Sequence, residues 1–220
     1  MKTDREIDAV TLVKEIDRRT AENPIRNAVV AKLREDRFTL EDLRRLLEFE
    51  VRLNRTELAA YALAASRFTE KQEDVYCLKL QEMASRARVK LLDCARVLPI
   101  EPRTGADGQT EGFTAYAYGS YLSWLVLNAS RAGLGAASLV DVRSYFSTSE
   151  ELGAWLRNSR IGAPEEAVAF YGGEPEGLST SAVAFIQAGL DAGDDPDEAL
   201  RLGDVMRDVM GYFWRVVSPG

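Results

Sequence analysis

The chain has 220 residues, 46% of them hydrophobic, and a formal net charge of −7. That length allows one large domain or two small ones, and the apolar share allows a sizeable core. The acidic balance argues against a nucleic-acid partner, since no cluster of Lys or Arg stands apart from the acids. The sequence contains no histidine. That excludes a Ser-His-Asp triad, a His-ligated haem, a His-containing zinc site and an ordinary di-iron site of Glu and His.

In chain order the sequence reads as helix, and no run alternates with period two. Met1 to Arg5 is charged and unlike a signal peptide, so a cytoplasmic location is expected. Ile7 to Glu22 is a first amphipathic helix. Its Val10, Val13 and Ile16 offer more apolar surface than one core is expected to absorb, which points to a homodimer or larger assembly. Asn23-Pro24 reads as an N-cap followed by Pro at the first helical position, opening a helix to about Glu35. "TLED" at 39–42 reads as a capping box opening a long helix to about Ser66. Another long helix spans Lys71 to Leu98, stopped by Pro99.

Cys77 and Cys94 lie on that helix. Their spacing sets them roughly 25 Å apart, too far for a disulfide. "PIEPRTGADGQTEG" is a loop. Phe113 to Arg131 is nearly uncharged but carries Thr, Ser, Asn and Gly, so it is expected as a helix buried mid-bundle, not a membrane span. Shorter helices are expected at 137–146, 149–158 and 164–171, then 180–190. In "DAGDDPDEAL", Asp195 caps, Pro196 takes the first position and Glu198 completes a box for the last helix, to about Val217. With no repeat and no dividing linker, the expectation is one all-α domain over 1–220.

One stretch, "EFEVRLNRTELAAY" at 48–61, breaks the pattern. Residues Leu43, Leu47, Glu50, Asn54, Glu57, Tyr61 and Ala65 fall on one stripe at helical spacing. The charged arc of this helix lies elsewhere, on Glu41, Arg44, Arg45, Glu48, Arg52 and Arg55. An unpaired carboxylate in a core costs several kcal/mol, or it takes up a proton. Three readings follow. The acids join a structural network with Tyr118, Tyr121, Arg86 or Arg88; or they line a cavity as acid-base or orienting groups; or they hold a metal through carboxylates alone, for which no second Glu-rich face is visible.

Four segments resemble, in order, the TenA (thiaminase II) family of the haem-oxygenase-like superfamily. "RFTLEDLRRLLEFEVRLNRTELAAYALAASRF" is similar to that family's second conserved helix. "AYGSYLSWLVLNAS" resembles its central helix with an aromatic pair. "ASLVDVRSYF" matches the segment that often reads Leu-Leu-Pro-Cys-x-Trp-x-Tyr, and "MRDVMGYFW" the closing helix that usually carries Glu-x-x-Phe-Trp. The resemblance runs from about Pro24 to Val217 and implies a haem-oxygenase-like helical bundle. It places the family's pocket Asp at Glu50, its conserved tyrosines at Tyr118 and Tyr145, its nucleophilic Cys at Asp141 and its acid-base Glu at Met210.

Without that Cys and Glu, ordinary thiaminase chemistry is not expected. The resemblance implies a scaffold turned to another small molecule. The first reading is a cofactor-independent enzyme of specialised metabolism that folds a largely apolar polyene or aromatic substrate and promotes cyclisation, including [4+2] cycloaddition. The others are a non-catalytic binding or regulatory protein and a residual pyrimidine or thiamin-salvage hydrolase using Asp141. The expected catalytic residues are Glu50, Tyr118 and Asp141. The expected substrate contacts are Asn54, Glu57, Tyr121, Tyr145, Phe170, Tyr171, Met210 and Phe213, with Trp214 read as core. No metal and no cofactor are expected, any haem binding being adventitious, and neither nucleic acid nor membrane is an expected partner.

Overall fold

The computed structural model describes residues 7–98 and 112–218, with the side chains of 112–115 left aside. The charged start and most of the loop from Pro99 to Gly112 lie outside the described residues. Among them every regular element is helical: α1 (Ala9–Glu22), α2 (Ala28–Arg34), α3 (Leu40–Arg67), a 3₁₀ turn at Gln72–Asp74, α4 (Val75–Val97), α5 (Gly112–Asn128), α6 (Arg131–Asn158), α7 (Glu165–Phe170), α8 (Leu178–Leu190) and α9 (Pro196–Val217). None of these helices is long and apolar enough to cross a membrane.

The caps explain the boundaries. Thr39 and Asp42 form the reciprocal box that "TLED" announces: Asp42 N–H donates to Thr39 Oγ1 at 3.1 Å, and Thr39 N–H to Asp42 Oδ2 at 3.0 Å. Asp195 caps α9 by accepting from Asp197 N–H, with Pro196 at the first position. The start of α2 differs from expectation. Asn23 ends α1, and the helix waits for Asn27, whose Oδ1 accepts from Val30 N–H at 3.0 Å. The Asn27 amide also donates to Thr148 on α6 at 2.7 Å, so the later cap serves tertiary contact as well.

The two short helices expected at 137–146 and 149–158 are one helix, α6. The Ser-Thr-Ser at 147–149 looks like a break because such hydroxyls compete for backbone. Here Thr148 Oγ1 donates back to Ser144 O at 3.0 Å, and Ser149 Oγ accepts Gly172 N–H at 2.9 Å, so the hydroxyls are satisfied without ending the helix. At its other end α6 is capped twice, by Ser130 Oγ on Gly133 N–H and by Asp194 Oδ2 on Ala132 N–H.

α6 is the buried axis. It packs most extensively on α9 and α8 and is covered in part by α2 and α7. Its first half, rich in Gly and Ala, is buried on every side from Ala132 to Val142. Small residues let backbones approach closely. A Cβ on Gly135 would stand 2.6 Å from Ile186, and one on Gly189 would stand 2.5 Å from the backbone nitrogen of Ala132. Beside this contact, buried Asp74 takes both guanidinium nitrogens of Arg131, at 2.8 and 3.2 Å, and the N–H groups of Glu70 and Lys71.

α5 is not the mid-bundle helix its composition suggests. It lies between α3 and α9 with Tyr116, Trp124 and Leu127 exposed, while Leu122, Leu125 and Val126 are buried. Arg67 on α3 donates to the carbonyls of Val126 and Ala129 at 2.8 and 2.7 Å, closing the end of α5. Val13 and Ile16 of α1 are consumed by the core, leaving only Val10 exposed of the set offered to a partner. Cys77 and Cys94 are free, buried and both on α4.

The α6–α8 approach gives a paired test. Gly189→Ala forces a methyl against backbone and should cost about 1–3 kcal/mol of stability. Gly211→Ala, with open space around its Cβ inside α9, should be neutral or stabilise by up to ~1 kcal/mol. Urea midpoints for both variants check the contrast; equal effects would show that the close contact is not a constraint.

Candidate functional site

A cavity of about 390 Å³ opens between α3, α4, α6, α9 and the segment after α7. α3 contributes Glu50, Glu57 and Tyr61 from the polar stripe, and Leu53 beside it. α6 contributes Asp141, Val142, Tyr145, Phe146 and Ser149. α5 adds Tyr118, α9 adds Met210 and Phe213, and Phe170, Gly172, Gly173 and Pro175 form the end near α7. Of the residues expected at a site, Glu50, Glu57, Tyr118, Asp141, Tyr145, Phe170, Met210 and Phe213 therefore surround one space.

Three expected residues do not reach it. Asn54 is buried, but its amide donates to Ala84 O of α4 at 2.9 Å; it ties two helices together. Tyr121 turns to α9, donating to Leu202 O at 2.9 Å and stacking on Trp124. Tyr171 is buried edge-on against Phe170, behind the wall. Trp214 is core, as read, stacked on Tyr145.

The expectation of Arg86 or Arg88 as partners for the acids is corrected. Arg86 pairs with Glu82 at 2.5 Å on its own helix. Among the described residues no lysine or arginine is bonded to Glu50, Glu57 or Asp141. Nor do these acids form a cluster able to hold a metal ion. What they have instead is phenol. Tyr118 donates to Asp141 Oδ2 at 2.6 Å.

Burial without a cation decides their protonation. Burial, followed by the charge of Glu57, pushes Glu50 up to about 8, with Tyr145 opposing in part. Burial and then the charge of Asp141 push Glu57 up to about 8, opposed by Asn54. Burial pushes Asp141 up to about 7, opposed by the Tyr118 hydroxyl. Tyr61, Tyr118 and Tyr145 are driven well above the ordinary phenol range, burial again first, so they remain proton donors. Glu50 Oε1 is buried and has no hydrogen-bond partner among the described residues. The cavity is thus walled by aromatic and apolar groups and studded with acids that hold protons near neutrality.

One wall escaped the sequence reading. α4 supplies Met83, Ala84, Arg86, Ala87, Lys90 and Leu91. These recur at helical spacing, but apart from the two cations they look like any half-buried stripe. Tyr61 is on the stripe and was not expected as a contact.

No family model matches the chain, and no curated protein matches it in sequence. In three dimensions it is similar to the X-ray structure of a TenA homologue from Pyrococcus furiosus. The TM-score is 0.65, over 94% of this chain and 99% of that one, at 15% sequence identity. The fold is TenA-like. At that identity the likeness speaks for the TenA-like arrangement of helices, and the chemistry of the cavity is argued from its own residues.

The raised acids carry a pH signature. A folded-state pKa above the unfolded value means the folded chain holds the proton more tightly. Their contribution to stability is therefore greatest near pH 4 and declines as pH rises toward 8. Glu57→Gln removes one such group. It should leave urea stability at pH 5 nearly unchanged and raise it at pH 8 by on the order of 1–3 kcal/mol, part of the cost of an uncompensated buried ion. A loss at pH 8 larger than at pH 5 would mean that Glu57 is stabilised as an anion.

Proposed function

We propose that the protein is a cofactor-independent enzyme that encloses a small unsaturated molecule in the acid-lined cavity and promotes its cyclisation. Specialised metabolism is the setting this chemistry fits, and a [4+2] cycloaddition is the version that asks least of the protein. The observation that carries the reading is Glu50: buried, proton-bearing near neutrality, with one oxygen unpartnered beside an aromatic cavity. A neutral carboxyl there donates a hydrogen bond to a substrate carbonyl and draws electron density from the conjugated system. Tyr118 donates its one hydroxyl proton to Asp141 and so fixes that carboxyl, which in its protonated form offers a second donor. Aromatic and Met side chains hold the reacting ends close, and such confinement can remove up to ~7–11 kcal/mol of barrier. Three π-bonds become two σ-bonds and one new π-bond, so no oxidant or proton acceptor is needed.

The thiaminase reaction fits these residues less well. By the resemblance Met210 stands where the family carries its acid-base glutamate. Met210 is buried in the cavity wall, where a thioether moves no proton. Aminopyrimidine turnover is therefore not expected, and a rate abolished by Asp141→Ala would reverse that. A binding protein without chemistry shares the cavity and differs only in turnover.

Mass spectrometry of ligand that co-purifies with the protein gives the starting substrate. On it, Glu50→Gln should cost little in rate, because size and hydrogen bonding are kept. Glu50→Ala should cost about 1–3 kcal/mol of barrier, the loss of one buried hydrogen-bond partner. Met210→Trp, which fills the cavity, should be worst. A steep loss in Glu50→Gln alone, with a pH-rate profile following one ionisation, would establish general acid-base catalysis and reject the shape-driven cyclase.

A further inference from the structure

The polar groups that line the cavity differ in exposure. Glu50 and Asp141 are buried on α3 and α6, and Glu57 is half-buried. Arg86 and Lys90, one turn apart on α4, line the cavity while remaining exposed, so they stand at its mouth. Facing them are Gly172, Gly173 and Pro175. Lys90 reaches only the Ala169 carbonyl, at 3.4 Å, and has no carboxylate partner among the described residues. Arg86 pairs with Glu82 and with no other carboxylate among the described residues. The Glu150 carboxyl lies near Gly173 but does not line the cavity. The lining also includes Met83, Ala87, Phe170, Met210 and Phe213, which carry no charge.

An acidic chain that sets two cations at the mouth of an acid-ended cavity favours one orientation of ligand. From this charge layout we propose that the ligand is an amphiphilic organic anion. Its carboxylate or phosphate terminus stays at the mouth on Arg86 and Lys90, and its apolar body extends inward to the carboxyls. The reverse orientation would bury the anion away from both cations and beside acids that ionise near neutrality, a desolvation cost that the mouth avoids. The neutral state of those acids, in turn, is what lets a negatively charged molecule enter at all. This inference rests on the cavity being the ligand site, and it adds the charge class of what enters.

The test uses two dyes that share a body and differ in charge, 8-anilino-1-naphthalenesulfonate and the neutral N-phenyl-1-naphthylamine. Fluorescence titration of the full chain should show the sulfonate binding more tightly. In the double variant Arg86→Gln/Lys90→Gln its affinity should fall by roughly three- to tenfold, as expected for partly solvated charge contacts, with the neutral dye unchanged. High salt should shrink the same preference. Met210→Trp should weaken both dyes. Equal affinity for the two dyes, a preference that survives the double variant, or affinities left unchanged by Met210→Trp would each overturn the proposal. Binding of neither dye would sink the cavity reading itself, a result distinct from loss of preference. Competition by octanoate, octyl phosphate and octanol completes the assignment: displacement by either anion supports it and shows which anion is held, whereas displacement by the alcohol as good as by both anions would overturn it.

Discussion

Three carboxyl groups share one cavity, and among the described residues no cation is bonded to any of them. An ionised carboxylate in that setting costs several kcal/mol, more when a second stands nearby. The chain meets this by protonation instead of pairing, with tyrosines as the nearest polar neighbours. That choice constrains everything around it. The cavity must stay shut enough to keep the acids desolvated, and the stability given up around an unfilled space must be recovered elsewhere.

It is recovered along α6. The first half of that helix is small and buried, and it sits against α8 and α9 at backbone distance. Dense packing of this kind gains dispersion energy that a loosely filled bundle lacks. Asp141 falls where the packed half gives way to the half that lines the cavity. Tyr118 meets it from α5, and α5 is in turn fixed at its end by Arg67. The acid-bearing end of the cavity is therefore mounted on rigid elements, and the mouth is framed by a glycine-bearing segment and an exposed turn of α4.

How much of this was legible depended on whether a residue broke its local pattern. Glu50 and Glu57 interrupt an apolar stripe, so the stripe announced a cavity or a network before any coordinates. Caps at Thr39 and Asp195 were legible because capping is local chemistry. Three failures have one cause, information that lives in tertiary partners. The α4 wall is written in Met83, Ala87 and Leu91, residues that read the same whether they face core or cavity. Ser147 to Ser149 look like a break until Asn27 and Gly172 are found to satisfy them. α5 has the composition of a buried helix and yet leaves Tyr116, Trp124 and Leu127 outside, while the buried axis is α6, whose Gly and Ala residues look weak on any hydrophobic scale. Tyr121 was misplaced for the same reason: one turn from Tyr118, it points to Leu202 instead of the cavity.

The missing histidine acquires a meaning from this arrangement. Imidazole is the side chain whose ordinary pKa lies near neutrality, and proton transfer is most efficient from groups that titrate there. A chain with no imidazole must shift another group into that range. Burial does so here: two glutamates near 8 and an aspartate near 7 occupy the window that histidine would fill. They differ from histidine in one respect that matters to a ligand. Their protonated form is neutral, whereas protonated imidazole is a cation. A cavity with histidine would attract an anion to its depth at the pH where it acts as an acid. This cavity offers hydrogen-bond donors without charge at its buried end and keeps its positive charge at the mouth. Under the proposed orientation it would distinguish the two ends of one molecule by charge, and would meet an uncharged polar group with a proton donor and no buried ion.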